Sequence, residues 1–372
     1  MTTRSADQQG DPHEDKRSPR STDCPGWCWP GPGHKPRNHD PTHPAASPLN
    51  ARLIQASALL AALWALLAIW EADSRPWSGY TASHRNIVIS VRAGSPAEAA
   101  GVLPGDRIIA INEHATAGPG ALRALGRGVI GELRLLRVQR ADRVLDLRLS
   151  YQQLPLSDRI RAWLRIATGL AYLGIGYFAW RRSDTRMTRL LAVACTGFAL
   201  AFLPGPWLGP DGLRTLLAVV RSALVLAAMV ALLRFVALLP PGQVITLSGA
   251  GRLLVIAPAA FLWVLLSARA VADGVIPGTL VLIAVGLVLS GYLLSATVLF
   301  LRKYIRTEGG DRDRLGLRAM LWCSLAGTLP GLLGGFTLLG RWPFAAYLFV
   351  TAILAPLSWA AVAHRIDQSR SA

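Results

Sequence analysis

The stretch 94-GSPAEAAGVLPGDRIIAIN-112 has the residue order of a short helix, a tight turn and a strand. Ser95 is followed by a proline and then, three positions on, by Glu98, which is the pattern of a capped helix start. Gly101 can end that helix in the left-handed conformation. A Pro-Gly-Asp turn follows, and the β-branched run 107-RIIAIN-112 predicts a strand.

The neighbouring residues extend this pattern into a small α+β domain. Alternating or β-branched runs predict further strands, and residues 118–128 predict a second helix. The further strands are 86-NIVISV-91, 132-ELRLLRVQ-139 and 143-RVLDLRLS-150. The predicted order is therefore strand, short helix, strand, helix, strand, strand.

This order, with the pattern V-x-x-GSPA-x-x-AGV-x-x-GD-x-I-x-x-IN, resembles the PDZ domain. The resemblance is closest to the extracytoplasmic form found in bacterial high-temperature-requirement proteases and secretion proteins, and it covers residues 77–151. It implies a groove between one strand and the longer helix, where a peptide, often a C-terminus, adds as an extra strand. It also implies a carboxylate-binding loop near 77-WSGYT-81.

The resemblance implies binding residues but no catalytic, cofactor-binding or metal-binding residue. The loop is a partial match to the family, which usually has a compact apolar-Gly-apolar element where this chain has Gly79-Tyr80. The open alternative is a degenerate groove in a domain that only packs on its neighbours. The predicted groove residues are Gly79, Tyr80, Thr81, Ala121, Leu122 and Leu125.

Most of the remaining chain is apolar. The 372 residues are 52% hydrophobic, with a mean hydropathy of +0.36. A membrane-spanning helix needs roughly 20 apolar residues. The predicted fold class is therefore a multi-pass α-helical membrane protein with eight transmembrane helices and one small α+β PDZ-like domain between helices 1 and 2. The predicted spans are 53–70, 163–180, 189–207, 216–239, 252–271, 279–301, 319–340 and 344–363.

Basic residues orient these spans, because Lys and Arg in short loops favour the cytoplasmic side. Loop 181–189 has four arginines and loop 302–318 has six basic residues, whereas the alternate loops have one arginine each. This pattern predicts a protein of the bacterial inner membrane with both termini in the cytoplasm and the PDZ-like domain outside. The net charge of +17 is therefore attributed to topology, and no nucleic-acid partner is predicted.

These predictions divide the chain into five parts. The N-terminal segment is rich in Pro, Gly, Asp, Arg and His, so it cannot bury enough apolar surface to order itself. The parts are a disordered cytoplasmic tail at 1–50, a first transmembrane helix at 51–71, the PDZ-like domain at 77–151, a seven-helix bundle at 162–364 and a short cytoplasmic tail at 365–372.

The membrane region carries a second resemblance, to the input region of competence-type sensor histidine kinases. That group places a PDZ-like segment after its first helix and then runs several more spans. This chain departs from the family because eight residues follow His364, without a phosphoacceptor helix or an ATP-binding loop. The segments that carry the resemblance are 234-RFVALLP-240, 301-LRKYIR-306, 312-RDRLGLRAMLWCSLAGTLPGLL-333 and 355-APLSWAAVAHR-365.

Catalytic signatures do not coincide with the predicted spans. The His-Glu pair at 13–14 lies in the tail and lacks the His-Glu-x-x-His pattern of a zinc protease. The cysteines and histidines of 24–43 leave a metal site as the alternative to a flexible linker. Arg221, inside a predicted span, is expected either to reach the outer interface or to pair within the bundle. No enzyme activity and no cofactor are predicted.

Two functions fit these features. The first is a non-enzymatic membrane sensor or signalling scaffold, whose outer PDZ domain binds a peptide or protein and whose bundle passes that state inward. The alternative is a PDZ adaptor for envelope protein quality control or secretion. The expected partners are a peptide or protein C-terminus, membrane lipids and a cytoplasmic signalling protein.

Overall fold

The computed structural model describes residues 48–83, 86–116, 128–206, 211–240, 248–271, 276–336 and 351–371. One long helix, α1 (Pro48–Ala72), is followed by a β-rich domain and then by a series of long helices. The elements of the domain are β1 (Pro76–Trp77), β2 (Tyr80–Ala82), β3 (Val88–Val91), α2 (Pro96–Ala99), β4 (Arg107–Ile111), β5 (His114–Ala115), β6 (Leu133–Arg140), β7 (Arg143–Ser150) and β8 (Gln152–Gln153).

The strands of the domain form three antiparallel groups. The main sheet has the order β5-β4-β6-β7, β2 pairs with β3, and β1 pairs with β8. A bridge between Ile87 and Arg107 joins the β2–β3 hairpin to the main sheet. The inward faces of the strands and α2 enclose one apolar core, as alternating strand patterns require. Its buried members are Val88, Ala97, Val102, Ile108, Ile111, Leu136, Val138 and Leu149.

The predicted local signals around α2 are confirmed. The Ser95 hydroxyl accepts a hydrogen bond from the Glu98 amide at 3.2 Å, and the Glu98 carboxylate accepts one from the Gly94 amide at 2.7 Å. Gly101 has a positive φ of 82°, which ends the helix as glycine allows. The predicted strands at 86–91, 107–112, 132–139 and 143–150 correspond to β3, β4, β6 and β7.

Asp106, in the turn after α2, connects this turn to the main sheet. Asp106 is 1% exposed and accepts hydrogen bonds from Arg140 Nε at 2.7 Å, from Arg140 Nη2 at 2.8 Å and from the Leu103 amide at 2.9 Å. Arg140 Nη2 also donates to the Gly101 carbonyl oxygen at 2.7 Å. One ion pair thus ties the α2 turn to the end of β6.

Helices make up most of the rest of the described chain. Gly197 and Gly176 allow close packing, since a Cβ on Gly197 would lie 2.4 Å from the Ala228 Cβ and one on Gly176 would lie 2.5 Å from the Cys195 Cβ. The helices are α3 (Leu156–Arg182), α4 (Arg186–Phe202), α5 (Asp211–Ala237), α6 (Gly249–Val271), α7 (Gly278–Arg306), α8 (Gly309–Leu315), α9 (Leu317–Phe336) and α10 (Leu354–Ser371).

Four helices of the described chain are long and apolar enough to cross a membrane. They coincide with four of the eight predicted spans, and the other four spans stay predictions. Helix α4 has 17 residues, and α3 carries several arginines in its first half. Parts of the last two predicted spans lie outside the described residues. The four helices are Ala51–Ala72, Gly212–Ala237, Gly249–Val271 and Gly278–Arg306.

Two ends of the bundle differ from the sequence expectation. Helix α7 continues to Arg306, so Lys303 lies in the helix rather than in a loop, and it is 5% exposed. Its ammonium donates to the carbonyl oxygens of Ala237 and Leu239, each at 2.5 Å, at the C-terminal end of α5. Helix α10 extends beyond the last predicted span to Ser371, and Ile366 on this extension is buried in the core.

Candidate peptide-binding site

The free edge of β2 is the basis of the candidate site. In an antiparallel pair, backbone polar groups of successive residues point to opposite edges. The Arg92 amide donates to the Gly79 carbonyl oxygen at 2.9 Å, so the backbone N–H and C=O of the next residue, Tyr80, face away from β3. Within the described residues, β2 pairs only with β3. An extended peptide can therefore add at this edge.

The loop before β2 is held against the cap of α2. Gly79 has a φ of 84°, and a Cβ at this position would lie 2.1 Å from the Ser95 Cβ. The Ala97 amide donates to the Ser78 carbonyl oxygen at 2.9 Å. Only glycine combines this backbone conformation with so close an approach. The same serine that caps α2 thus fixes the loop that leads into the free strand edge.

The two other loop residues differ in their surroundings. Tyr80 is half-buried and packs on the domain core, whereas Thr81 is exposed. Burial raises the pKa of the Tyr80 phenol, the nearby Tyr151 adds to the increase, and Arg134 opposes it. The Tyr80 hydroxyl therefore stays protonated at neutral pH.

A buried arginine lies behind the loop, and sequence analysis did not single it out. Arg134 is 7% exposed, its Nε donates to Glu132 Oε1 at 2.8 Å, and its guanidinium carbon lies 5.3 Å from the centre of the Tyr151 ring. The alternation of β6 could have indicated that Arg134 is buried, because Arg134 points to the same side of the strand as the inward residues Leu136 and Val138.

The helical wall of the predicted groove cannot be compared with the structure. Ala121, Leu122 and Leu125 lie outside the described residues, and their role stays a prediction. The structure therefore brings Gly79, Tyr80 and Thr81 together at the strand edge.

The site is joined directly to the long helices. Strand β1, which leads into the loop, pairs with β8, and β8 leads into α3. Arg92 forms an ion pair with Asp158 in the first turn of α3, and its guanidinium carbon lies 5.7 Å from the centre of the Trp77 ring. Arg159 Nη2 lies 3.0 Å from Asp73 Oδ1 after α1. No sequence motif indicated these contacts.

Comparison with known families supports the identity of the domain. A family model described as a PDZ domain matches residues 87–140. The match covers β3 through β6 and does not include Gly79, Tyr80 or Thr81. No curated protein matches the chain. Residues 87–140 thus belong to a PDZ domain, a module that binds peptide C-termini or proteins, and the resemblance to sensor kinases stays a prediction.

Proposed function

We propose that this chain is a non-enzymatic membrane sensor or signalling scaffold, and that its PDZ domain binds the C-terminus of a peptide or protein outside the cytoplasm. The observation that supports the binding function is the free edge of Tyr80 beside a loop fixed by the contact between Gly79 and Ser95. Peptide addition at such an edge uses backbone hydrogen bonds, and loop amides hold the terminal carboxylate.

Membrane placement is supported by the outer faces of the long helices. Many large apolar side chains on α6 and α7 face outward instead of filling a core, as lipid-facing surfaces do. The arginine-rich loops orient the eight proposed spans with both termini in the cytoplasm and the PDZ domain outside the inner membrane. The exposed large side chains include Leu254, Phe261, Leu282 and Leu287.

Signal transfer is supported by the short connections between the peptide loop and the helices. Trp77 belongs both to β1 and to the loop, and Arg92 contacts Trp77 and Asp158 together. A peptide that moves the loop changes the position of Arg92 relative to α3. A ligand shifts such a system only if it binds two arrangements with different affinity.

The binding function is tested with the full-length protein in detergent micelles. Fluorescent peptides of randomised sequence are titrated with a free C-terminal carboxylate or with a C-terminal amide. We expect a subset of free-acid peptides to bind and their amides to bind at least about tenfold more weakly, because the charge-assisted hydrogen bonds are lost. Equal affinity of acid and amide for every peptide that binds contradicts the proposal.

The topology has a separate test. Reporter fusions after residue 115 are expected to be active only with a reporter that works outside the cytoplasm. An active cytoplasmic reporter at this position contradicts the proposed orientation without affecting the peptide-binding proposal.

The adaptor function is the second candidate, because a PDZ domain also recruits client proteins. In-cell crosslinking followed by purification of the full-length protein separates the two functions. A kinase or transcription regulator crosslinked to the arginine-rich segments 181–189 or 302–318 supports the sensor. A protease, secretion component or exported client crosslinked to residues 77–151 supports the adaptor.

A further inference from the structure

A cavity with a volume of about 460 Å³ lies between α1, α4, α5, α6 and α7. Its size falls in the range of small-molecule sites, roughly 300–1,000 Å³. One part of the wall is cationic and another is aliphatic. The cavity therefore suits a ligand with a charged head group and an apolar chain. The lining includes Arg214 and Arg221 on one side and Leu262, Leu266, Val285 and Leu289 on the other.

Arg221 enters this cavity from within an apolar span. It lies nine residues after Gly212, the start of that span, and donates through Nη2 to the Leu203 carbonyl oxygen at 3.0 Å. Its guanidinium carbon lies 5.6 Å from the centre of the Trp64 ring. These contacts lie inside the bundle, and both partners are uncharged, so the positive charge of Arg221 is not neutralised by them.

Further arginines converge on the same place. Arg75 Nη2 donates to the Gly205 carbonyl oxygen at 2.9 Å, and Arg221 Nη1 lies 3.4 Å from where a Cβ on Gly205 would be. Arg165 precedes Ile166, which lies in one buried cluster with Trp64 and Leu203, two residues that Arg221 contacts. Glu71 pairs with Arg75 at 3.7 Å. In the described part of the chain, no ion pair involves Arg165 or Arg221.

We propose that this cavity binds an anionic phospholipid, whose phosphate contacts Arg221 in the cavity wall and Arg165 beside the cavity, and whose acyl chain lies along the aliphatic wall. Guanidinium groups pair with phosphate oxygens through parallel charge-assisted hydrogen bonds. Basic pockets between membrane helices bind anionic lipid head groups by this chemistry. The lipid supplies the negative charge that the two arginines lack. This proposal rests on the membrane placement and is independent of peptide binding.

The test compares lipids with identical acyl chains on the full-length protein in a neutral detergent. Phosphatidylglycerol or phosphatidylcholine is added without peptide, and bound lipid is counted by native mass spectrometry. We expect retention of phosphatidylglycerol over phosphatidylcholine. Arg165→Gln should weaken phosphatidylglycerol binding about tenfold, the loss of one strong hydrogen-bonding charge. Arg234→Gln, at the other end of α5, is the matched control and should leave retention unchanged.

Arg165→Gln is the main variant because, among the described residues, no hydrogen bond of Arg165 holds the fold. Arg221→Gln should weaken retention as well, although it also removes the contact with the end of α4. Unchanged retention in Arg165→Gln overturns the proposal. So does equal retention of the two lipids, or full displacement of phosphatidylglycerol by inorganic phosphate or glycerol phosphate at matched concentration, which would assign the site to a soluble anion.

Discussion

The ion pair between Asp106 and Arg140 gives the sharpest prediction for the PDZ fold, because the chain contains a matched control. Asp146 also receives two hydrogen bonds from one arginine, Arg137, on the outer face of the sheet. The side chain of Asp106 is 1% exposed, whereas that of Asp146 is 46% exposed. The two carboxylates therefore make similar bonds in opposite surroundings.

The expected effect follows from burial. Asp106→Ala leaves the Leu103 amide without its acceptor and removes the charge-assisted hydrogen bonds of Arg140, whose side chain is 35% exposed, and such a loss costs about 2 kcal/mol. Asp146→Ala is expected to change stability little, because water solvates Arg137 in place of the lost partner.

Hydrogen exchange on the full-length protein measures this difference in stability separately for the PDZ domain, because the rates are read from the amides of its own strands. The Asp106→Ala variant is expected to accelerate exchange of the protected amides of β4 and β6 about thirtyfold, the equivalent of about 2 kcal/mol. Asp146→Ala should leave these rates close to those of the unmodified protein. Equal rates in the two variants would refute the assignment of Asp106 as the buried tie between α2 and β6.

The same carboxylate makes the domain sensitive to acid. The hydrogen bond from Arg140 lowers the pKa of Asp106, burial opposes this shift, and the Leu103 amide adds to it. Because the folded-state pKa lies below that of the unfolded chain, about 3.9, the stabilisation is complete above that pH. It is lost as the pH falls through the folded-state pKa. The opening free energy of the domain, obtained from exchange rates corrected for their intrinsic pH dependence, should therefore fall less on acidification in Asp106→Ala than in the unmodified protein.

Three substitutions extend the account. Gly79→Ala should weaken peptide binding at least about tenfold, because a positive φ and the contact with the α2 cap exclude a side chain. Gly94→Ala is the control, since there is open space around its Cβ position. It should weaken peptide binding less than Gly79→Ala in the same titration. Lys303→Met should destabilise the bundle by about 2 kcal/mol, because the carbonyl oxygens at the end of α5 lose their donor. Arg302→Met changes an exposed residue and should leave the stability nearly unchanged. Thermal unfolding measures both. Arg92→Ala should accelerate hydrogen exchange in the first turn of α3, and an unchanged rate there would remove Arg92 from the proposed connection.

The core of the small domain could be predicted from sequence because its signals are local. The cap at Ser95, the left-handed Gly101 and the alternating strands each occupy a few consecutive residues. Their physical causes are capping, backbone freedom and side-chain period, all of which act at short range. The same local signals correspond to the region that the PDZ family model matches.

The contacts outside that core could not be predicted, since they join residues far apart in the chain. Arg92 and Asp158 are separated by 66 positions, and Lys303 reaches a carbonyl oxygen 66 positions away. Arg165 lies within a predicted span, but its nearness to Arg221 follows from helix packing that no local pattern encodes. A long basic side chain can reach several different partners, and the amino-acid sequence near it does not indicate which partner it contacts.

The most direct test of the account is hydrogen exchange with and without a peptide ligand. The full-length protein is mixed with a peptide that bound in the titration, either as its free acid or as its amide. We expect the free acid to slow hydrogen exchange in β2 and also to change it in the first turn of α3, while the amide changes neither. A free-acid peptide that binds without altering exchange in β2 would contradict the strand-edge site, and with it the proposed route to the helices.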